Sequence, residues 1–152
     1  MMMTIDRSEP FNPEIVGRGW TIIEEDTDKY SVSLEEIDLF KVILVSMFQP
    51  DEIAVKGEEK LLRLKNSGLI RLDAGIFWFF FRNKHLIPPS WKEKHNNSLS
   101  TQYIYFDGTI LKHPNGSRHV LCFCWEKGGW NWYTDWLGLD WRKNHLSAVL
   151  LD

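Results

Sequence analysis

The sequence has little of what marks secreted and membrane proteins. It contains two cysteines in 152 residues, Cys122 and Cys124, and a spacing of two cannot build a disulfide framework. The most apolar stretch, residues 75–81, is far shorter than the roughly 20 residues that span a bilayer. Residues 1–10 show neither a basic nor an apolar signal region. We therefore expect a cytoplasmic protein with reduced thiols and no membrane segment.

The motifs of common enzyme classes are also missing. The chain has no glycine-rich phosphate loop, no Walker motif, no His-Glu-x-x-His and no Gly-x-Ser-x-Gly. A structural zinc site uses Cys-x(2–4)-Cys in a knuckle, whereas Cys122 and Cys124 lie one residue closer, in a predicted strand. On that strand His119 points away from both thiols. We expect no metal and no cofactor.

Aromatic side chains, by contrast, are abundant. They make up 14% of the residues and include eight tryptophans, and 43% of the chain is hydrophobic. A chain of this length and apolar content is typical of one domain with a true core. Acidic side chains outnumber basic ones in residues 1–76, and the reverse holds in residues 77–152. The asymmetry predicts an acidic helical part and a basic, aromatic β part.

The predicted organisation is an irregular N-terminal arm followed by a single α+β domain. Residues 1–17 form the arm, because Pro10 and Pro13 interrupt regular structure. The domain covers residues 18–152, with its helical part at about 31–84 and its β part at about 102–151. We expect two or three helices packed on an antiparallel β-meander of four or five strands.

Three segments of the first half have helical signals. A capping box of Ser33 and Glu36 opens an apolar stretch that recurs every three or four residues and ends before Pro50. Residues 58–66 form the second predicted helix. For the third segment, two alternatives stand: strands 69–72 and 76–81 in a hairpin, or a helix that Asp73 caps. The cap favours the helix.

The second half has the signals of a meander. Residues 103–106 lead into Asp107-Gly108, a hairpin turn signal, and residues 109–112 pair back. The next turns are residues 114–117 and residues 127–129, on either side of a long strand. A strand follows from Trp130, and residues 146–151 are predicted to form a final edge strand.

The succession of several short motifs resembles a known group of proteins. The motifs, in chain order, are NSGLIRLDA at 66–74, HLIP at 85–88, SWKEK at 90–94, FDGT at 106–109 and SAVL at 147–150. This succession is similar to a group of short, uncharacterised bacterial hypothetical proteins over about residues 60–151. The resemblance implies a bacterial origin and no particular activity.

The strongest functional lead is a cluster of five tryptophans in residues 125–141. On a strand from residue 130, Trp130, Trp132 and Trp136 share one face, and Asn131 and Asp135 share the other. Exposed indoles beside polar groups suit sugar rings, nucleobases or a peptide groove. We therefore predict a non-catalytic binding module for a protein, peptide or sugar ligand. Its predicted binding residues are Trp130, Trp132, Trp136, Trp141, Asn131 and Arg142.

Two other functions are alternatives. The first is a carbohydrate-active hydrolase in which Asp135 and Asp140 act as the catalytic carboxylates, since glycosidases use two such groups beside aromatic platforms. The second is nucleic-acid binding. It takes either a single-stranded form, with Arg118, Lys127, Arg142 and Lys143 beside exposed tryptophans, or a winged helix built from helix 58–66 and strands 69–72 and 76–82. The oligomeric state is not predicted.

Overall fold

The computed structural model describes residues 1–93 and 101–151. Its α-helices are α1 (Lys29–Ser33), α2 (Gly57–Asn66) and α3 (Ala74–Arg82). Its strands are β1 (Met2–Thr4), β2 (Thr21–Ile22), β3 (Glu36–Asp38), β4 (Val42–Val45), β5 (Val55–Lys56), β6 (Ile70–Arg71), β7 (Tyr103–Lys112), β8 (Arg118–Glu126), β9 (Gly129–Trp136), β10 (Asp140–Trp141) and β11 (His145–Leu150). Short 3₁₀ turns connect several of them.

A mixed seven-stranded sheet forms the centre of the fold. Its main path runs β4-β11-β7-β8-β9, and β2 and β6 pair with β7 and β11 respectively. The α+β prediction is confirmed, but the purely antiparallel meander is wrong, because β11 runs parallel to β7. The predicted edge strand is also wrong: β11 lies between β4 and β7. Its residues from Leu146 to Leu150 are all buried, and such a continuous buried run fits the interior of a sheet.

The long helix predicted between Ser33 and Pro50 does not form. The helix in this region is α1, which Asp28 caps by accepting hydrogen bonds from the backbone N–H groups of Tyr30 and Ser31. It ends at Ser33, and β3 and β4 follow. Val42, Ile43 and Val45 are β-branched and favour a strand, and periodicity cannot distinguish the two structures in so solid an apolar run.

The other two predicted helices are confirmed. The carboxylate of Asp73 accepts a hydrogen bond of 2.8 Å from the N–H of Gly75 and caps α3. The hairpin alternative is wrong, because residues 76–81 lie within α3. Part of the first strand of that predicted hairpin does form: it is β6, which pairs with β11.

The turn predicted at Asp107-Gly108 is wrong, because β7 continues through both residues with a shift of register. Gly108 instead allows the backbone of β7 to approach the backbone of residues 71 and 72 closely. A Cβ at Gly108 would come within 2.3 Å of the carbonyl oxygen of Arg71, and the Gly108 N–H donates to the Leu72 carbonyl at 2.8 Å. Close backbone approach is the usual reason for glycine inside a strand. The turns at residues 114–117 and 127–129 form as predicted.

The sheet has a hydrophobic core on each face. On one face, α3 packs its phenylalanines against Phe106 and Phe123 of the sheet. On the other, Leu61 of α2 packs with Tyr105, Cys122 and Trp141. The N-terminal segment adds to the first core, since Ile5 and Phe11 are buried there and β1 pairs with β3. In the described ranges, no helix is long and apolar enough to cross a membrane.

Candidate functional site

The clustered tryptophans differ widely in exposure. Trp141 and Trp130 are buried, whereas Trp136 is 48% exposed. Trp132 is half-buried and meets the rings of Phe77 and Phe81 edge to face, at 6.1 and 6.4 Å between centroids. Trp136 is therefore the only one of the four predicted binding tryptophans whose indole has a large exposed surface.

The two polar residues that were predicted to bind beside the tryptophans, Asn131 and Arg142, instead donate hydrogen bonds to backbone carbonyls. The side-chain amide of Asn131 donates to the carbonyls of Glu126 and Gly129, at 3.4 and 3.3 Å. Arg142 is exposed and donates to the Ile53 carbonyl at 3.5 Å. Asn131 also lies on the face of β9 opposite to Trp136, as strand alternation requires. The structure does not bring these two side chains to the exposed indole.

An open groove of about 370 Å³ lies beside Trp136. Its wall consists of Trp136 and four residues from the β7–β8 hairpin: His113, Asn115, Ser117 and His119. His119 is the direct cross-strand neighbour of Trp136, which places both side chains on the same face of the sheet. We refer to these five residues as the Trp136 groove.

The hairpin turn orients the polar groups of the groove. The Asn115 N–H donates to Nδ1 of His113 at 2.9 Å. The amide oxygen of Asn115 accepts two hydrogen bonds from Ser117, from its N–H at 2.8 Å and from its hydroxyl at 2.6 Å. Ser117 Oγ also lies 2.9 Å from Nε2 of His119. The turn is thus fixed before any ligand arrives.

The hydrogen-bond pattern assigns the tautomer of His119. A hydroxyl has one hydrogen, and the short bond to Asn115 uses that of Ser117. We infer that Nε2 of His119 carries a hydrogen and donates it to Ser117 Oγ. The other nitrogen, Nδ1, is buried without a partner among the described residues. Ser117 is therefore not arranged as a nucleophile beside a general base.

The two histidines of the groove share one aromatic neighbour. Trp20 meets the rings of His113 and His119 edge to face, with centroids 4.8 and 4.9 Å away. Burial, followed by the nearby charge of His113, lowers the pKa of His119 below its ordinary value. The lowered pKa favours the neutral form of His119 at pH 7. The groove wall offers imidazole, amide and hydroxyl groups and contains no carboxylate, lysine or arginine.

The predicted catalytic carboxylates have separate partners. Asp135 on β9 accepts a hydrogen bond from the hydroxyl of Tyr105, and burial raises the pKa of that tyrosine. Asp140 on β10 is exposed and pairs with Lys56, with 3.1 Å between Nζ and Oδ1. The two carboxylates do not share a hydrogen-bond network. In residues 1–93 and 101–151, no group of three or more potential ligands could hold a metal ion.

The basic residues of the nucleic-acid alternative divide into two groups: Lys127, Arg142 and Lys143 are exposed, whereas others are held in ion pairs. Arg118 binds Asp26 and Glu58, and Arg63 of α2 binds Glu52 and Glu59. The expected wing of a winged helix is absent from the described fold, because residues 76–82 form the last part of α3.

A second polar cluster lies between α2 and the sheet. Lys60 is fully buried, and its ammonium donates to the His145 carbonyl at 2.7 Å. It also lies 5.3 and 5.1 Å from the ring centroids of Tyr105 and Trp141. Burial lowers the pKa of Lys60 to about 8. Because the ammonium is enclosed, we assign this cluster a structural role in holding α2 on the sheet.

Sequence reasoning missed most of the Trp136 groove. Asn115 and Ser117 carried no functional signal, although the turn of residues 114–117 was recognisable. The missing information was the pairing of β8 with β9, which sets His119 beside Trp136. Comparison with protein-family models, curated proteins and solved structures finds no match. The bacterial origin therefore stays a prediction.

Proposed function

We propose that the protein is a non-catalytic binding module whose Trp136 groove holds an uncharged, hydroxyl-bearing ring such as a sugar. The proposal depends on one observation: the indole of Trp136 is half-exposed in the wall of an open groove. A flat aromatic face packs against the apolar face of a sugar ring, and nearby polar groups fix its orientation.

The polar groups of the groove favour hydroxyl groups over charged ones. The described hydrogen bonds use the oxygen of Asn115 and Nδ1 of His113. The side-chain NH2 of Asn115 and Nε2 of His113 are the groups that can bond to sugar hydroxyls. The five wall residues include no lysine or arginine, and the nearby Arg118 is engaged with two carboxylates. Phosphate-rich ligands depend on free cations, so nucleic acid is the weaker alternative for this groove.

The same residues favour binding without turnover. A glycoside hydrolase needs two carboxyl groups roughly 5–9.5 Å apart on either side of the scissile bond. The wall of the Trp136 groove contains no carboxylate. Asp135 and Asp140 have separate partners outside the groove, and the hydroxyl of Ser117 is committed to Asn115.

The proposal is tested by titration calorimetry with a panel of neutral sugars, covering glucose, galactose, mannose, N-acetylglucosamine and their short oligomers. Trp136→Ala is expected to abolish the binding that the wild type shows, and Trp136→Phe to retain part of it. Tyr133→Ala is the matched control, because Tyr133 is a comparably exposed aromatic residue on the opposite face of β9. It should bind like the wild type.

Two results would contradict the proposal. One is that no neutral sugar binds, while single-stranded DNA binds with an affinity that falls steeply with salt, as expected of a phosphate contact. The other is that Tyr133→Ala and Trp136→Ala lose binding equally, which would move the site to another surface. Release of a smaller sugar during the titration would favour the hydrolase alternative.

A further inference from the structure

Strand β9 ends the main path of the central sheet and leaves an edge open. Its inner side pairs with β8 from His119–Trp136 to Glu126–Gly129. On its outer side, the part of the chain that the structure describes contributes no strand. The backbone N–H and C=O groups of such an edge are free to pair with another strand.

Most of the features that usually protect an edge strand are missing from β9. It is eight residues long and contains no proline. Its register with β8 is continuous, without a bulge, and Asp135 is its only charged residue. Edge strands normally avoid association by being short, by carrying lysine or proline, or by bulging. At the other end of the sheet, β4 meets the first condition with four residues.

We propose that β9 pairs antiparallel with β9 of a second copy of this chain, so that the two sheets join into one. Every copy carries the same open edge, and a two-fold axis perpendicular to the sheet makes such an interface self-complementary. The proposal concerns the backbone edge of β9 and does not depend on the function proposed for the Trp136 groove.

The sequence of β9 matches itself in one symmetric register. With Tyr133 opposite Tyr133, Trp132 faces Thr134, Asn131 faces Asp135 and Trp130 faces Trp136. Paired residues project to the same face of an antiparallel sheet, and aromatic pairs and polar partners there stabilise it. Like charges do not meet, because Asp135 faces an amide. Asn131 is exposed and Asp135 half-exposed. In the dimer, the Asn131 amide exchanges the Glu126 and Gly129 carbonyls for the Asp135 carboxylate, whose other oxygen binds the Tyr105 hydroxyl.

The register predicts opposite effects for two substitutions at Asn131. Asn131→Asp places two carboxylates opposite each other, once on each side of the two-fold axis, and should weaken the dimer on the order of tenfold. Asn131→Lys places an ammonium opposite Asp135 and should strengthen it by a similar factor. Asn12→Asp is the matched control, since Asn12 is exposed and caps a turn by accepting from the Glu14 N–H, a role that aspartate also fills.

The experiment is analytical ultracentrifugation of the full chain over a range of protein concentrations, with circular dichroism to confirm that each variant is folded. We expect the wild type to shift with concentration from 18.0 kDa to twice that mass, Asn131→Asp to dimerise less, Asn131→Lys to dimerise more, and Asn12→Asp to match the wild type. A wild type that stays monomeric at every concentration would overturn the proposal. So would a dimer that both Asn131 variants leave unchanged, or weaken alike.

Discussion

The indole of Trp136 lies directly against the backbone of Gly138. A Cβ built on Gly138 would come within 2.3 Å of the indole ring, although the backbone angles of this glycine do not themselves require a glycine. The ring thus rests on the only residue type that leaves room for it. This contact fixes one side of the indole and leaves the other side for the groove.

Substituting Gly138 is expected to move the indole without changing Trp136 itself. Gly138→Ala should displace the ring from the groove, reduce sugar affinity at least tenfold, which is about 1.4 kcal/mol, and shift the tryptophan fluorescence. The matched control is Gly128→Ala, since a Cβ at Gly128 meets no atom within 4 Å. That variant carries the backbone strain of a positive φ of 77° but should keep the affinity. Equal affinities for the wild type and Gly138→Ala would show that the ring position is irrelevant to binding.

The buried and exposed tryptophans are expected to differ in their effect on stability. Trp141→Ala should lower the free energy of unfolding by about 3–5 kcal/mol, the usual cost of truncating a buried aromatic side chain. The reason is that Trp141 is 1% exposed and stacks on Tyr105 at 4.3 Å between centroids. Trp136→Ala should cost no more than about 1 kcal/mol. Urea denaturation measures both values, and a comparable loss in both variants would place Trp136 in the core.

The buried ammonium of Lys60 is expected to make stability depend on pH. Burial lowers its pKa in the folded chain to about 8 from an ordinary 10.5. Between those values the unfolded chain binds more protons at this site, so the Lys60 contribution to the free energy of unfolding rises with pH. The rise is at most about 1.4 kcal/mol per pH unit.

Lys60→Met isolates this contribution from those of the tyrosines and cysteines, whose raised pKa values act in the opposite direction at high pH. The free energy of unfolding of the wild type minus that of the variant should increase between about pH 8 and pH 10. Urea denaturation at several pH values measures the difference. A difference that stays constant or falls over this range would mean that the ammonium is well solvated.

Local signals predicted part of the fold correctly. The N-cap of Asp73, the turn at residues 127–129 and the helix at residues 58–66 depend on neighbours within a few residues, and each formed as expected. The long helix from Ser33 failed because its apolar residues fit a strand as well as a helix. Partners on β11, far along the chain, decided between the two.

The site could be predicted only in outline for the same reason. The alternation of Trp130, Trp132 and Trp136 on one face followed from sequence, but their exposure did not. Which of them is covered depends on where α3 packs, and the phenylalanines of that helix reach Trp132 and not Trp136. The predicted pair of Asp135 and Asp140 likewise gave no hint of their actual partners, Tyr105 and Lys56.

The proposed ligand is a neutral ring that packs on the indole of Trp136. The most direct test is a ¹H–¹⁵N correlation spectrum of the full chain, recorded while the same panel of neutral sugars is added. We expect concentration-dependent shifts of the Trp136 indole N–H and of the Asn115 side-chain amide, with the Trp130 and Trp141 indoles unmoved. Unchanged resonances of Trp136 and Asn115 with every sugar, or shifts confined to the Tyr133 face of β9, would contradict the proposal.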